Sequence, residues 1–489
     1  MDPESPRVTS RAGLAAGPLL FLAILAAPLP ALGPEAHRLL AIFAWTAAWW
    51  VTETLPLAVT ALLSSTLCIV LGVAPARVVL AAYGDPIVFL FVASFVLAEA
   101  TKVTGLDRRF AFAVLHTAWA SRTPGRLLLS VGVITCALSL WLSNTATAAL
   151  MLPVAVGLLR ATGHAERAPA SSFAIGLLLM LTWSASVAVG LPIGSPPNLI
   201  ALAMIRDFTD HRLTFFDWAA VAMPLTIAML ALCWTILRAS YRVERQELDV
   251  TAYAAAERIR LGPWTLGQRV VLSVFVLACV LWTLPGAVAM VAGPESPATA
   301  FLEVRLGESV VGLLAAILLF VLPGQRRPWR PVLAWRDVAG IDWGTILLFG
   351  GSLALGRLMF DTRLADVLGR ALLALAGGEL WTITALAIVL GVVLSEVSSN
   401  TASASTLVPL AIVVAGAAGV SPVPPAMGAA LGASFGFMLP VSTPPNAIVY
   451  GSRLVPLGAM MRSGIVLDVA GALLIWIGLR VLCPLLGLA

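Results

Sequence analysis

Residues 138–155 read LSLWLSNTATAALMLPVA, and residues 394–411 read LSEVSSNTASASTLVPLA. Ser139, Ser143, Asn144, Thr145 and Pro153 align without a gap with Ser395, Ser399, Asn400, Thr401 and Pro409. A second matched element stands downstream of each copy, LPIGSPPN at 191–198 and LPVSTPPN at 439–446. Upstream the match weakens, but Ser94, Thr104 and Leu106 still align with Ser352, Thr362 and Leu364. Self-similarity of this kind marks one supersecondary unit used twice, here at roughly 84–205 and 343–450.

The chain around these units does not have the composition of a soluble protein. Of its 489 residues 60% are apolar and 11% charged, and the mean hydropathy is +0.97, far from the usual range of globular domains. Apolar runs long enough to cross a ~30 Å hydrocarbon core recur through the chain. They predict an all-α membrane protein with about eleven transmembrane helices, near 15–32, 37–51, 55–73, 84–103, 171–205, 218–238, 268–289, 305–322, 343–360, 424–450 and 464–487, together with two re-entrant helical hairpins at 126–160 and 379–415. The first run follows Arg7 and Arg11, but further spans follow at once, so it reads as a membrane helix rather than a cleaved signal peptide. The longest polar stretch, Arg238 to Arg269, reads as an amphipathic linker at the membrane surface.

Cys68, Cys136, Cys233, Cys279 and Cys483 all lie in apolar stretches without CxxC spacing or a neighbouring histidine, which suits packing rather than disulfide or metal chemistry. The four histidines, His37, His116, His164 and His211, are scattered, which argues against zinc or haem. For a membrane chain the formal charge of +5 does not call for a nucleic-acid partner; the location of the basic residues matters more than their sum.

With a cytoplasmic N-terminus, the assignment places about two-thirds of the 30 Lys and Arg on the cytoplasmic side, the positive-inside bias. They are Arg7 and Arg11; Lys102, Arg108, Arg109, Arg122 and Arg126; Arg160 and Arg167; Arg238, Arg242, Arg245, Arg258, Arg260 and Arg269; Arg326, Arg327, Arg330 and Arg336; and Arg453 and Arg462. Reading 126–160 as one ordinary span would reverse everything after it and move the basic segment 238–269 outside. The charges therefore favour a hairpin that enters and leaves on one side. Between the two units the assignment leaves an odd number of spans, so the second unit enters from the opposite side. Such an inverted repeat is the architecture that places a site near the midplane of secondary transporters.

Within lipid an unpaired polar group costs several kcal/mol, so polar triplets flanked by apolar helix must face protein, water or a ligand. At a hairpin tip, Ser-Asn-Thr would stand where the returning half-helix begins, with free backbone N–H groups at the positive end of the helix dipole. That suits a carboxylate or another oxyanion. The loop carbonyls and the Ser and Asn oxygens are hard neutral ligands that suit Na⁺. Pro-Pro donates no backbone hydrogen bond, so the helix is expected to break there and leave carbonyls free. The plainer role for each motif is helix glue or a simple kink. Repetition of both elements in order, at matched spacing, favours a site.

At these residues the chain resembles the divalent anion/sodium symporter family, which includes solute carrier family 13. The likeness runs over nearly the whole chain. WWVTETLPLAVTALL at 49–63 is similar to an early scaffold motif of that family, and GFMLPVSTPPNAIVYGS at 436–452 is similar to its C-terminal signature. The resemblance implies a homodimer in the lipid bilayer, held by scaffold helices and carrying two elevator-like transport domains that move a dicarboxylate, citrate or sulfate together with Na⁺. It implies N-terminal scaffold helices at 1–83, a first inverted repeat at 84–205 with its broken helix at 194–198, and connecting helices at 206–342. A second repeat at 343–450 follows, with its broken helix at 442–446, and then a C-terminal helix at 451–489. Carried over by position, Ser143, Asn144, Thr145, Ser399, Asn400 and Thr401 would contact the small anionic substrate, with Ser195 and Thr443 closing the site. One Na⁺ would be held around Ser139, Ser143, Asn144 and Gly194, the other around Ser395, Ser398, Asn400 and Ser442, mostly through backbone oxygens. The first half departs from the family pattern, with Ala188 and Val189 where a Gly-Gly pair is usual and Ser195 in place of a common Thr.

Glu396, opposite Leu140 in the repeat, is the acid nearest a hairpin tip. It is expected either to tune cation or proton coupling or to stand solvated in an aqueous vestibule. Glu99 and Lys102 read as an interfacial helix pair, and Arg357 as a snorkelling side chain. The function expected is uptake of a di- or tricarboxylate such as succinate, malate or citrate coupled to Na⁺, with sulfate symport or Na⁺-independent carboxylate exchange as alternatives. An intramembrane enzyme would need a nucleophile or metal dyad at membrane depth, and no Ser/His, Asp/Asp or HExxH arrangement supplies one.

Overall fold

The computed structural model describes residues 11–115, 117, 123–164, 171–241, 251–293 and 296–489. Of the basic residues that set the expected orientation, Arg7, Arg122, Arg167, Arg242 and Arg245 lie outside the described residues. Among the described residues eight helices are long and apolar enough to cross a bilayer. The chain is a multi-pass integral membrane protein.

Four helices lead in: α1 (Arg11–Ala26), α2 (Pro34–Thr52), α3 (Leu57–Val70) and the short α4 (Ala76–Ala81). The first repeat then runs α5 (Pro86–Thr104), α6 (Leu106–Leu115), α7 (Pro124–Ser139), α8 (Asn144–Ala161), α9 (Ser172–Ser186), α10 (Pro196–Phe208) and α11 (Phe215–Ser240). A connecting region holds α12 (Thr251–Leu261), α13 (Leu266–Ala292), α14 (Pro297–Arg305), α15 (Glu308–Val321) and α16 (Trp335–Val338). It also contains an antiparallel pair of short strands, Pro323–Arg326 and Trp329–Pro331, which an all-α reading did not anticipate. The second repeat reproduces the first in order: α17 (Trp343–Asp361), α18 (Leu364–Ala376), α19 (Leu380–Val397), α20 (Asn400–Ala418), α21 (Val423–Ala433), α22 (Pro444–Gly451) and α23 (Leu457–Leu485).

Local chemistry accounts for the boundaries. The N-cap Asp85 accepts a hydrogen bond from Ile87 N–H and Pro86 opens α5, the arrangement in which the missing proline N–H costs nothing. Gly105 and Gly419, both left-handed, end α5 and α20, a conformation that glycine adopts without a Cβ clash. The segments expected as single spans at 171–205 and 424–450 are each two helices, interrupted at 187–195 and at 434–443. Each Pro-Pro pair occupies the first turn of the helix after the interruption. Proline therefore starts the second half-helix here rather than cutting a continuous one, and the break extends upstream of the motif.

Packing repeats as the sequence does. Within each unit the first hairpin arm lies on the first half of the broken helix, α7 on α9 and α19 on α21. Across units the pairs are exchanged: α8 packs on α22 and α20 on α10, while α9 meets α22 and α21 meets α10. The correspondence continues into α11 and α23, which follow the two broken helices and pack against each other. The polar motifs thus lie where the two units interlock.

Candidate substrate and cation site

Four of the expected substrate residues are helix N-caps. Ser143 precedes α8, Ser195 α10, Ser399 α20 and Thr443 α22. Ser143 Oγ accepts from Ala146 N–H at 3.2 Å and Thr443 Oγ1 from Asn446 N–H at 3.3 Å. Ser195 and Ser399 cap no amide with their side chains. First-turn amides carry partial positive charge, so the termini at Ser143 and Ser399 offer anion-binding capacity without a lysine or arginine; at Ser195 and Thr443 the Pro-Pro pair lacks two of those N–H groups and the next, from Asn198 or Asn446, is already bonded. Ser143, Asn144, Ser399 and Asn400 are half-buried and Thr145 is exposed; Ser195, Thr401 and Thr443 are buried. The tips are open while the broken helices behind them are closed.

Each hairpin is tied at its neck by the same three oxygens. Ser139 Oγ lies 2.9 Å from Asn144 Oδ1 and 2.9 Å from the carbonyl of Ala185. Ser395 Oγ lies 2.7 Å from Asn400 Oδ1 and 2.8 Å from the carbonyl of Ala433. A serine hydroxyl has one proton to donate, so each triad holds more acceptors than protons. Such oxygen-rich, uncharged clusters suit a hard cation. Ser139, Asn144, Ser395 and Asn400 were expected here; the carbonyls of Ala185 and Ala433 were not, because a backbone oxygen leaves no trace in a motif.

The breaks are held by residues that the motif displays but whose work its letters conceal. Asn198 Nδ2 donates to Val189 O and Leu191 O, both at 3.0 Å, and Asn446 Nδ2 to Gly436 O at 2.8 Å and Leu439 O at 3.0 Å. Each asparagine thereby satisfies carbonyls that the interrupted helix leaves unpaired. Trp218 Nε1 supplies a further donor to Val189 O at 3.1 Å. Two bonds then cross between the units. Thr182 Oγ1 donates to Asn446 Oδ1 at 2.6 Å, and Ser195 Oγ lies 3.3 Å from Ser434 Oγ. The carbonyl of Ser434 in turn accepts from Asn400 Nδ2 at 3.3 Å.

Glycines stand where each break approaches its surroundings most closely. A Cβ on Gly194 would come 2.6 Å from Ala188 O and 3.3 Å from Leu140 O, at the first tip. In the second unit a Cβ on Gly436 would come 2.9 Å from Ser442 Cβ and 3.1 Å from Ser395 O. Each break requires one glycine at its closest approach, at its far end in the first unit and at its near end in the second.

The tips are therefore linked by contacts: Asn400 to Ser434, Ser434 to Ser195, and the neighbouring Gly194 to Leu140 beside Ser139 and Asn144. Ser398 Oγ donates to Trp50 O at 3.1 Å, so the tryptophan pair of the early motif supplies a seat for the second tip. Ser442 contributes its hydroxyl to Glu396, with Oγ 2.7 Å from Oε2. Glu396 is 8% exposed and accepts from Met438 N–H at 2.9 Å, which overturns its reading as a solvated vestibule residue. Glu99 and Lys102 form the expected exposed pair at 3.1 Å, and Arg357 is exposed. Ser434, Thr182 and Trp218 escaped the sequence reading, since none belongs to a repeated triplet. Asn198 and Asn446 stood in both copies of Pro-Pro-Asn, and that duplication was the available signal.

Comparison with known proteins identifies the family. Residues 9–488 match the family described as "Sodium:sulfate symporter transmembrane region". A protein of Staphylococcus aureus named sodium-dependent dicarboxylate transporter SdcS is 30% identical over 473 residues, covering 95% of this chain and 89% of the relative. An uncharacterized transporter of Haemophilus influenzae is 32% identical over 443 residues, covering 89% of each. Among solved structures, the YdaH transporter of Alcanivorax borkumensis, described as having an unusual topology, superposes with a TM-score of 0.54 at 15% identity, over 80% of this chain and 84% of that one; this likeness concerns the fold. With the family model matched over residues 9–488 and relatives of 30–32% identity covering most of both chains, the chain belongs to the divalent anion/sodium symporter family.

Proposed function

We propose that this protein is a secondary active symporter that carries a small dicarboxylate together with Na⁺. The observation that carries the reading is the pairing, in each unit, of free helix N-termini with a proton-poor oxygen triad. One half of each unit suits an anion and the other suits a cation. Because each unit brings its own N-termini, the site offers two anion-binding ends, which matches a substrate with two carboxylates better than a single compact charge. The named relatives in Staphylococcus support the same substrate class and the same ion.

Substrate contacts are assigned to Ser143, Asn144, Thr145, Ser195, Ser399, Asn400, Thr401 and Thr443. The Na⁺ ions are assigned to the neighbourhoods of Ser139, Ser143, Asn144 and Gly194, and of Ser395, Ser398, Asn400 and Ser442. The two units insert as an inverted repeat with re-entrant tips at mid-depth and a cytoplasmic N-terminus, and a homodimer moves its transport domains as elevators. A cation that fills a triad would draw in the tip carbonyls and align the first-turn amides, so Na⁺ binding would precede and strengthen anion binding. In proteoliposomes, labelled succinate should accumulate only under an inward Na⁺ gradient, and unlabelled malate should compete. Accumulation indifferent to Na⁺, or competition by sulfate and not by any dicarboxylate, would reject the assignment.

A further inference from the structure

Beyond the two matched triads, the second unit contains an acidic pair with no counterpart in the first. Glu396, on α19, is 8% exposed, and Asp468, on α23, is 4% exposed. The Asp468 carboxyl lies against Glu396 and against the Phe437 backbone amide. Yet neither of its oxygens receives a hydrogen bond of proper geometry from the described residues. The close approach arises at Gly464, one turn before Asp468, which packs directly on the Phe437 carbonyl. In the first unit the matching carbonyl, Val189 O, is sealed by the Trp218 indole, and Leu140 stands where Glu396 does.

A second, independent feature lies at Ser442. Its Oγ is 2.7 Å from Glu396 Oε2, 3.0 Å from Leu439 O and 3.2 Å from Glu396 O. One hydroxyl proton is shared among three acceptors. Met438 N–H serves Glu396 Oε1, but at Oε2 oxygens outnumber protons, and Asp468 presents its own unpartnered oxygens to the same place. Among the described residues no basic side chain forms an ion pair with them. On the elements packed around the pair, Arg480 stacks on Trp381 and Trp476, Arg238 stacks on Trp234, and Arg462 is exposed. Two buried carboxyls without a counter-charge carry a penalty of several kcal/mol each unless a positive ion joins them or they hold a proton between them.

We propose that Glu396 and Asp468, with the Leu439 and Glu396 carbonyls and Ser442 Oγ, form a further site for an alkali cation of the Na⁺ type, joining the second hairpin to the C-terminal helix α23. Ser442 borders both this site and the neighbouring Na⁺ region, but Glu396 does not share the Ser395–Asn400–Ala433 triad, because consecutive residues of a helix project about 100° apart. The presence of the further site in one unit alone makes the cation load of the two halves unequal. Filling it ties α19, the second break and α23 into one block.

The inference draws on the proposed function only for the identity of the ion offered. Its test therefore uses no anion: radiolabelled Na⁺ binding to purified protein, alongside Na⁺-dependent thermal stabilisation followed by tryptophan fluorescence. Asp468→Asn and Glu396→Gln should each bind about one Na⁺ fewer per chain than wild type, with Na⁺-induced stabilisation needing roughly tenfold more salt. Asp468→Glu, which keeps the charge, should recover part of the loss, and this distinguishes a cation ligand from a residue needed only for folding. Equal Na⁺ stoichiometry and affinity in Asp468→Asn and wild type would overturn the proposal. So would an effect of pH alone, with Na⁺ binding unchanged, since that would assign the pair to a proton. Failure of Na⁺-driven succinate uptake would count against the proposed function and leave this binding measurement readable.

Discussion

Asn144 and Asn400 each accept from a serine on the preceding arm and start the following helix, so one side chain closes the hairpin neck and presents the first-turn amides. Replacing either by alanine removes a neck oxygen and a polar contact toward charged ligands, an interaction worth about 1.5–3 kcal/mol. Asn144→Ala and Asn400→Ala should each lower succinate uptake efficiency by roughly 10- to 100-fold, read from initial rates in proteoliposomes at saturating Na⁺. Thr182 tests a different kind of residue. Thr182→Val preserves shape but removes the donor to the buried Asn446 Oδ1, leaving an acceptor unpaired at a cost of about 1–3 kcal/mol. The thermal midpoint of that variant in detergent should fall, whereas Thr145→Val, at an exposed position, should leave it unchanged.

A helix interrupted inside a packed core must find partners for the backbone groups that the interruption exposes. Asn198 and Asn446 satisfy the carbonyls that each interruption exposes, and Gly194 and Gly436 permit the backbone to fold against itself. Gly194→Ala forces a Cβ against the Ala188 carbonyl and should both destabilise the protein and abolish Na⁺-dependent uptake. Ala188→Gly, where room already exists, should be tolerated, as a paired uptake and melting comparison would show. Much of this was legible in the sequence: the doubled Ser-Asn-Thr and Pro-Pro-Asn triplets marked the tips and the breaks, and hydropathy marked the long helices. The breaks were misjudged because Pro-Pro reads as an interruption, whereas its missing N–H is harmless in a first turn. The upstream limits of the gaps, 187 and 434, carry no comparable residue signal; they are fixed by Asn side chains reaching back to carbonyls seven to ten residues earlier. Nor could the sequence pair Thr182 with Asn446 or Asp468 with Glu396, since those contacts arise from the docking of one helix on another.

For the molecule as a whole, the exchange of helices between units is the central feature. The helix that follows one tip packs against the helix that follows the other unit's break, so the proposed anion site would draw on both units. One composite anion site rather than two independent ones is therefore expected. The most direct measurement is calorimetric binding of succinate, in saturating Na⁺, to wild type, Asn144→Ala, Asn400→Ala and the double variant. If both tips grasp one anion, each single variant loses nearly as much affinity as the double, because groups acting as a unit are strongly non-additive. If instead each single variant keeps half of the wild-type stoichiometry at unchanged affinity, the units bind separately and the composite site is wrong.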